Sequence, residues 1–144
     1  MDRFHIYLAG AMSGLSREEQ SKWRVKVEDR LKNSDLILRH KYILDIFNPF
    51  AYYNYFEQGH KTEKEIMRYE FDKIRKSDLI IVNFNNPSSL GTMAELAVAY
   101  EHRIPIVGMS SDLQSLHPWE IEMCTRICDD MDELIEHVSW YYLT

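Results

Sequence analysis

Apolar positions along this 144-residue chain fall into two alternating kinds of run. Some are short and unbroken and end in glycine, asparagine or proline; others are longer, with apolar residues recurring every three or four positions. The first kind reads as strands buried on both faces and the second as helices. Phe4-His5-Ile6-Tyr7-Leu8-Ala9 is the first short run, closed by the small-residue turn Gly10-Ala11-Met12-Ser13-Gly14. Ser16 with Glu19 is a capping-box signature, and Trp23, Val27 and Leu31 follow it at helical spacing. Between Leu36 and Phe47 the pattern is ambiguous, and Ile43-Leu44-Asp45-Ile46-Phe47, closed by Asn48-Pro49, is the better second strand.

A polar and aromatic stretch, Phe50 to His60, comes next. Thr62 with Glu65 then opens a helix whose stripe is Met67, Phe71 and Ile74 and which stops before Asp78. Leu79-Ile80-Ile81-Val82 is a β-branched run typical of a strand with both faces covered. A further helix begins near Gly91-Thr92, carries Met93, Leu96 and Tyr100, and ends at His102-Arg103. Ile104-Pro105-Ile106-Val107 is a fourth strand in which Pro105 marks a strand start. A short strand near Arg126 to Cys128 and a last helix from about Asp130 to Tyr142 complete the series. Strands alternating with helices predict a doubly wound α/β domain around a parallel sheet, and 144 residues fit one domain, 1–144.

Composition narrows the function classes. The net charge is -6 with both signs scattered, which argues against a nucleic-acid partner. The one short basic cluster, Lys73, Arg75 and Lys76, sits at a helix end, where cations suit the macrodipole. No stretch approaches the roughly 20 apolar residues of a membrane span, and nothing near Met1 resembles a signal peptide, so no membrane association and a cytoplasmic location are expected. Two cysteines, Cys124 and Cys128, read as reduced thiols, and six histidines form no ligand-spaced set, so no metal is expected.

In an open parallel sheet, ligands sit beyond the carboxyl ends of the strands, where strand order reverses. The loops Gly10 to Gly14 and Asn83 to Gly91, with the aromatic stretch after Pro49, meet that condition. Neither glycine loop is a nucleotide fingerprint. Ser13, Ser88 and Ser89 are candidates for holding a phosphate at a helix N-terminus, and capping explains them equally well. Asp72 and Glu95 flank the Leu79–Val82 strand and bring two carboxylates to its neighbourhood. For each, a bland reading stands beside the chemical one. Thr92-x-x-Glu95 is itself a capping box, and Asp72 lies about 130° from the centre of the Met67, Phe71, Ile74 stripe, where solvated residues belong. Tyr7 leans toward the crevice or is buried in the core.

Taken together, Tyr7-Leu8-Ala9-Gly10, Asp72 before the strand, and Pro87-Ser88-Ser89-Leu90-Gly91-x-x-x-Glu95-Leu96 after it resemble the nucleoside 2-deoxyribosyltransferase family, over most of residues 4 to 108. The resemblance implies a flavodoxin-like fold with strand order 2-1-3-4-5. It implies Glu95 as the nucleophile at C1' of a 2-deoxyribose, Asp72 as the acid, and Tyr7 as the residue that holds the nucleophile. Gly10, Ser13, Gly14, Ser88, Ser89 and Gly91 would line the substrate site. No cofactor is implied; the partner is a small-molecule nucleoside or nucleotide, and a homo-oligomer is implied in which a neighbouring subunit completes the site. His117-Pro118-Trp119 and Met123 are candidates for that contribution.

Two departures bear on the substrate. Position 89 is Ser, where base-exchanging transferases of the family carry an Asp, and this favours a 5'-monophosphate, because phosphate repels a carboxylate and accepts a hydroxyl bond. Against this, the first loop offers Ala11 and Ser13 but no cation. The rival class is a nucleotide-binding or sensing module that keeps the fold without turnover. The apolar end Trp140-Tyr141-Tyr142-Leu143 is expected to pack on the core or across a dimer.

Overall fold

The computed structural model describes residues 1–12, 15–49, 62–86 and 89–144. Five parallel strands form one sheet: β1 (Arg3–Gly10), β2 (Ile43–Phe47), β3 (Leu79–Asn83), β4 (Ile106–Met109) and β5 (Arg126–Cys128), in the spatial order β2-β1-β3-β4-β5. The connections carry α1 (Arg17–Lys32), α2 (Glu63–Arg75), α3 (Leu90–Glu101), α4 (Pro118–Met123) and α5 (Met131–Val138). This is the flavodoxin-like order expected, and it reverses between β1 and β3. Ligand chemistry is therefore directed to the carboxyl ends of those two strands.

Register fixes what lies there. β1 pairs with β2 from Arg3↔Ile43 to Tyr7↔Phe47, and with β3 from Ile6↔Leu79 to Gly10↔Asn83. Leu8, Ala9 and Gly10 thus continue past the end of β2 with a strand on one side only. Alternation sends Ile6, Leu8, Leu79 and Ile81 to one face, against Trp23, Val27 and Leu31 of α1 and Leu134 and Val138 of α5. Tyr7, Ala9, Ile80 and Val82 go to the other face, against Ile74 of α2 and Leu96 and Ala99 of α3. Each of the Ile, Leu and Val side chains among these, once fully buried, contributes about 1.5–3 kcal/mol.

Two expectations shift in detail. The fourth strand runs Ile106–Met109, two residues later than Ile104–Val107, because Pro105 has no N–H for the ladder; its carbonyl instead accepts from Ile80 N at 3.0 Å. The last helix ends at Val138 and continues as a π turn, Ser139–Leu143. Within that turn Leu143 is fully buried in this chain's own core, while Trp140 and Tyr141 stay exposed. The aromatic stretch from Phe50 to His60 lies outside the described residues. Cys124 and Cys128 are free thiols. Among the described residues, no helix is long and apolar enough to cross a membrane.

Candidate active site

At the carboxyl edge of the sheet, Tyr7 of β1 donates its hydroxyl hydrogen to Oε2 of Glu95 on α3. Tyr7 is fully buried and its ring stacks on Phe47, with centroids 5.4 Å apart. Burial and then the Glu95 charge push the phenol well above its usual range, so Tyr7 stays a hydrogen-bond donor.

Where α3 starts decides what Glu95 is for. The N-cap is Ser89, whose Oγ accepts from Thr92 N at 3.1 Å and lies 3.0 Å from Thr92 Oγ1. Thr92 is therefore the third helical residue, and buried, not a cap. Glu95 sits a turn further in, where no free N–H waits for it, and its carboxylate is directed to Tyr7. The capping-box reading of Glu95 is thereby removed.

Asp72 is not part of this cluster, contrary to the expectation from sequence. Its carboxylate pairs with Lys76 Nζ at 2.9 Å on the outer side of α2. That hydrogen bond, with the Lys76, Arg75 and Lys73 charges, holds its pKa below the ordinary value, the opposite of what a proton donor needs. The cause is a rotation of the helix. Met67 is 48% exposed, so the inward face centres on Glu70 and Ile74 and not on the predicted stripe. At 100° per residue, Asp72 lies roughly opposite that face.

The second carboxylate at the site is Glu70, which sequence reasoning passed over. A signal was present: Glu70 falls about 65° from the centre of the predicted stripe, half the angular distance of Asp72. Burial raises the Glu70 carboxyl to about 7, against a lowering by Arg24 and with a smaller push from Glu63. Burial likewise raises Glu95 to about 8, with the Glu70 charge adding to it and the Tyr7 hydrogen bond and Arg24 opposing it. Because the Glu70 charge acts on Glu95, the two carboxyls titrate as a coupled pair. Arg24 of α1, itself buried, also escaped the sequence reading, although a lone Arg between Trp23 and Val27 on the inner face of a helix is a visible anomaly.

The remaining predicted residues divide. Ser13, Gly14 and Ser88 lie outside the described residues. Ser89 caps α3 at the sheet edge. Gly10 closes β1, where a Cβ would meet Trp23 Cζ2 at 2.9 Å and Arg24 Nη2 at 3.4 Å, so a small residue is required by packing. Gly91 is exposed, and a Cβ there meets only Ser89 Oγ, at 3.7 Å. His117 caps α4, accepting from Trp119 N, and Trp119 is 70% exposed.

The site is thus a doubly wound sheet with two raised-pKa carboxyls and a phenol at its switch point. The chain belongs to the nucleoside 2-deoxyribosyltransferase family, whose model matches residues 6–135. No functionally curated sequence matches it. Among solved structures, it resembles a conserved protein from Enterococcus faecalis V583 (15% identity over 95% of this chain and 98% of that one, TM-score 0.72). It also resembles a 2-deoxyribosyltransferase from Bacillus psychrosaccharolyticus (18% identity, 91% and 90% covered, TM-score 0.67). A third similar structure is a CMP N-glycosidase from Clostridium botulinum (15% identity, 95% and 98% covered, TM-score 0.60). At such identities the structures share the fold, and family membership supports an enzyme that transfers or releases a glycosyl group.

Proposed function

We propose that this protein cleaves the N-glycosidic bond of 2'-deoxyribonucleosides or their 5'-monophosphates. The observation that carries this reading is the Tyr7–Glu95 hydrogen bond beside a second carboxyl, Glu70, held near 7. Tyr7's donation and the Arg24 charge oppose the burial that raises Glu95, and the reactive form is the one with Glu95 ionised and the Glu70 carboxyl protonated. An oxygen of Glu95 attacks C1', the C1'–N bond breaks, and its electron pair leaves with the base while Glu70 delivers the proton to it. The result is a glycosyl ester on Glu95, as in retaining glycoside hydrolysis.

In the second half-reaction, a new base or water attacks C1' from the vacated side. Glu70, now a carboxylate, accepts the incoming proton, the ester bond breaks and Glu95 is released as a carboxylate. Tyr7 keeps the nucleophile aimed throughout. Ser89 would meet a 5'-phosphate at the α3 N-terminus, where backbone N–H groups and the helix dipole favour an anion, and the sequence offers Ser13 and Ser88 as further candidates. Within this reading a neighbouring subunit of a homo-oligomer completes the site, and no cofactor takes part.

Incubation with deoxynucleosides and deoxynucleotides, with and without a second base, followed by chromatography of the released base, tests this reading. Release without acceptor marks a hydrolase, and exchange only with acceptor marks a transferase. Mass spectrometry after mixing with a slow 2-fluoro analogue should find a glycosyl adduct on Glu95. Full activity in Glu95→Ala, or tight reversible binding with no adduct and no turnover, would sink the proposal and favour a nucleotide-binding module.

A further inference from the structure

Arg24 is the largest fully buried side chain among the described residues and is 1% exposed. Its position follows from the register. His5 O accepts from Asp78 N on the β3 side of β1, so by alternation the Leu8 and Gly10 carbonyls face the β2 side, where β2 has already ended. Arg24 fills that gap. Its Nη2 donates to Gly10 O at 3.1 Å, its Nε approaches Leu8 O at 3.4 Å, and its Nη1 donates to Gln20 O at 2.6 Å. Its guanidinium carbon lies 4.6 Å from the centre of the Trp23 ring.

All three acceptors are neutral carbonyls, and among the described residues no carboxylate forms an ion pair with Arg24. A buried cation in that condition is costly unless its charge serves something nearby. Burial lowers its pKa to about 10, so it remains charged at neutral pH, and the groups that hold it charged are Glu95, Tyr7 and Glu70. These are the groups of the candidate site, reached from α3, β1 and α2; Glu63 is the further charge acting on Glu70.

We propose that Arg24 is a positioning residue for the glycosidic reaction: it secures the overhanging end of β1 that carries Tyr7, and its buried, unpaired charge favours the ionised form of the Glu95 and Glu70 carboxyls. This rests on the function proposed above. Without Arg24, the two desolvated carboxyls would ionise only at higher pH. A salt bridge to either carboxylate would neutralise the group it has to leave reactive. The carbonyl cradle holds the cation close without such a bond.

The test is a carboxyl titration of protein carrying 13C-labelled glutamate, followed by NMR and assigned with Glu70→Gln and Glu95→Gln. Arg24→Gln keeps a donor for the carbonyls and removes the charge, so the pair's midpoints should rise by about one pH unit. Arg24→Lys keeps the charge and loses the fork, and should leave the midpoints near wild type. In parallel, the acidic limb of kcat/KM should move upward in Arg24→Gln and be restored in Arg24→Lys. Unmoved midpoints in a folded Arg24→Gln, or a comparable shift in Arg24→Lys, would overturn the proposal and leave Arg24 as a strand tie alone. If Arg24→Gln does not fold, the Lys variant decides by the same readout. The titration needs no turnover, so absence of base release counts against the proposed function and a flat titration against the role of Arg24.

Discussion

Tyr7 and Glu95, 88 positions apart in the chain, are joined by a hydrogen bond from the phenol to the carboxylate at the one place where the strand order reverses. β1 supplies the donor from a fully buried position and the second turn of α3 supplies the acceptor. Removing the donor leaves the Glu95 carboxylate with Arg24 as the cation that opposes its protonation. Tyr7→Phe should therefore cut kcat/KM roughly 10- to 100-fold, the value of a lost hydrogen bond to a charged group, and raise the pH at which activity appears. Base-release rates across pH, with circular dichroism as a folding control, check this.

The pair's two titrations define a narrow working range. Under the proposed mechanism, protonation of both carboxyls below about 7 removes the nucleophile, and ionisation of both above about 8 removes the acid. kcat/KM should follow a bell with its maximum between those limits. A profile flat from pH 5 to 9, measured by chromatography of free base, would contradict the paired-carboxyl assignment.

Glu70 and Asp72 are separable by mutation although they are two residues apart. Glu70→Gln should lower activity by roughly 10²–10⁴, the usual contribution of a general acid, with the loss smallest for substrates whose base leaves readily. Asp72→Asn breaks only the surface pair with Lys76 and should leave kcat and Tm close to wild type. Reversed effects would restore Asp72 to the site.

Stability should fall with rising pH. The folded chain keeps protons on Glu70 and Glu95 to about 7 and about 8, whereas the unfolded chain releases them near 4.5. Between those limits the folded state binds more protons, so the favourable contribution is complete below about 4.5 and lost as pH passes about 8. Each pH unit by which a carboxyl is raised corresponds to about 1.4 kcal/mol. Glu95→Gln should accordingly raise Tm at pH 9 relative to wild type and flatten the pH dependence, as measured by thermal melts across the range.

The two glycines predicted to line the site should respond differently. Gly10→Ala forces a methyl to 2.9 Å from the buried Trp23 ring and should destabilise by about 1–3 kcal/mol. Gly91→Ala makes only an ordinary contact with Ser89 Oγ, at 3.7 Å, and should be neutral or stabilising by up to about 1 kcal/mol. Urea unfolding of the two variants distinguishes packing from chemistry at these positions.

The sequence by itself determined the alternation of strands and helices, the parallel sheet, and the two loops at its carboxyl edge, because periods of 2 and 3.6 are local properties of a chain. It also made Tyr7 and Glu95 candidates. It left Glu95 divided between a cap and a catalytic group, since Ser89 and Thr92 are both hydroxyl residues able to open a helix. Tertiary structure chose Ser89, and one turn of difference turned Glu95 from the helix end to Tyr7. The exchange of Asp72 for Glu70 has the same origin: two residues are 200° on a helix, and which face turns inward is set by docking against the sheet. Arg24 was hidden for a different reason. The cost of a buried charge depends on carbonyls left bare by the early end of β2 and on carboxylates far along the chain, and only the folded structure brings these together.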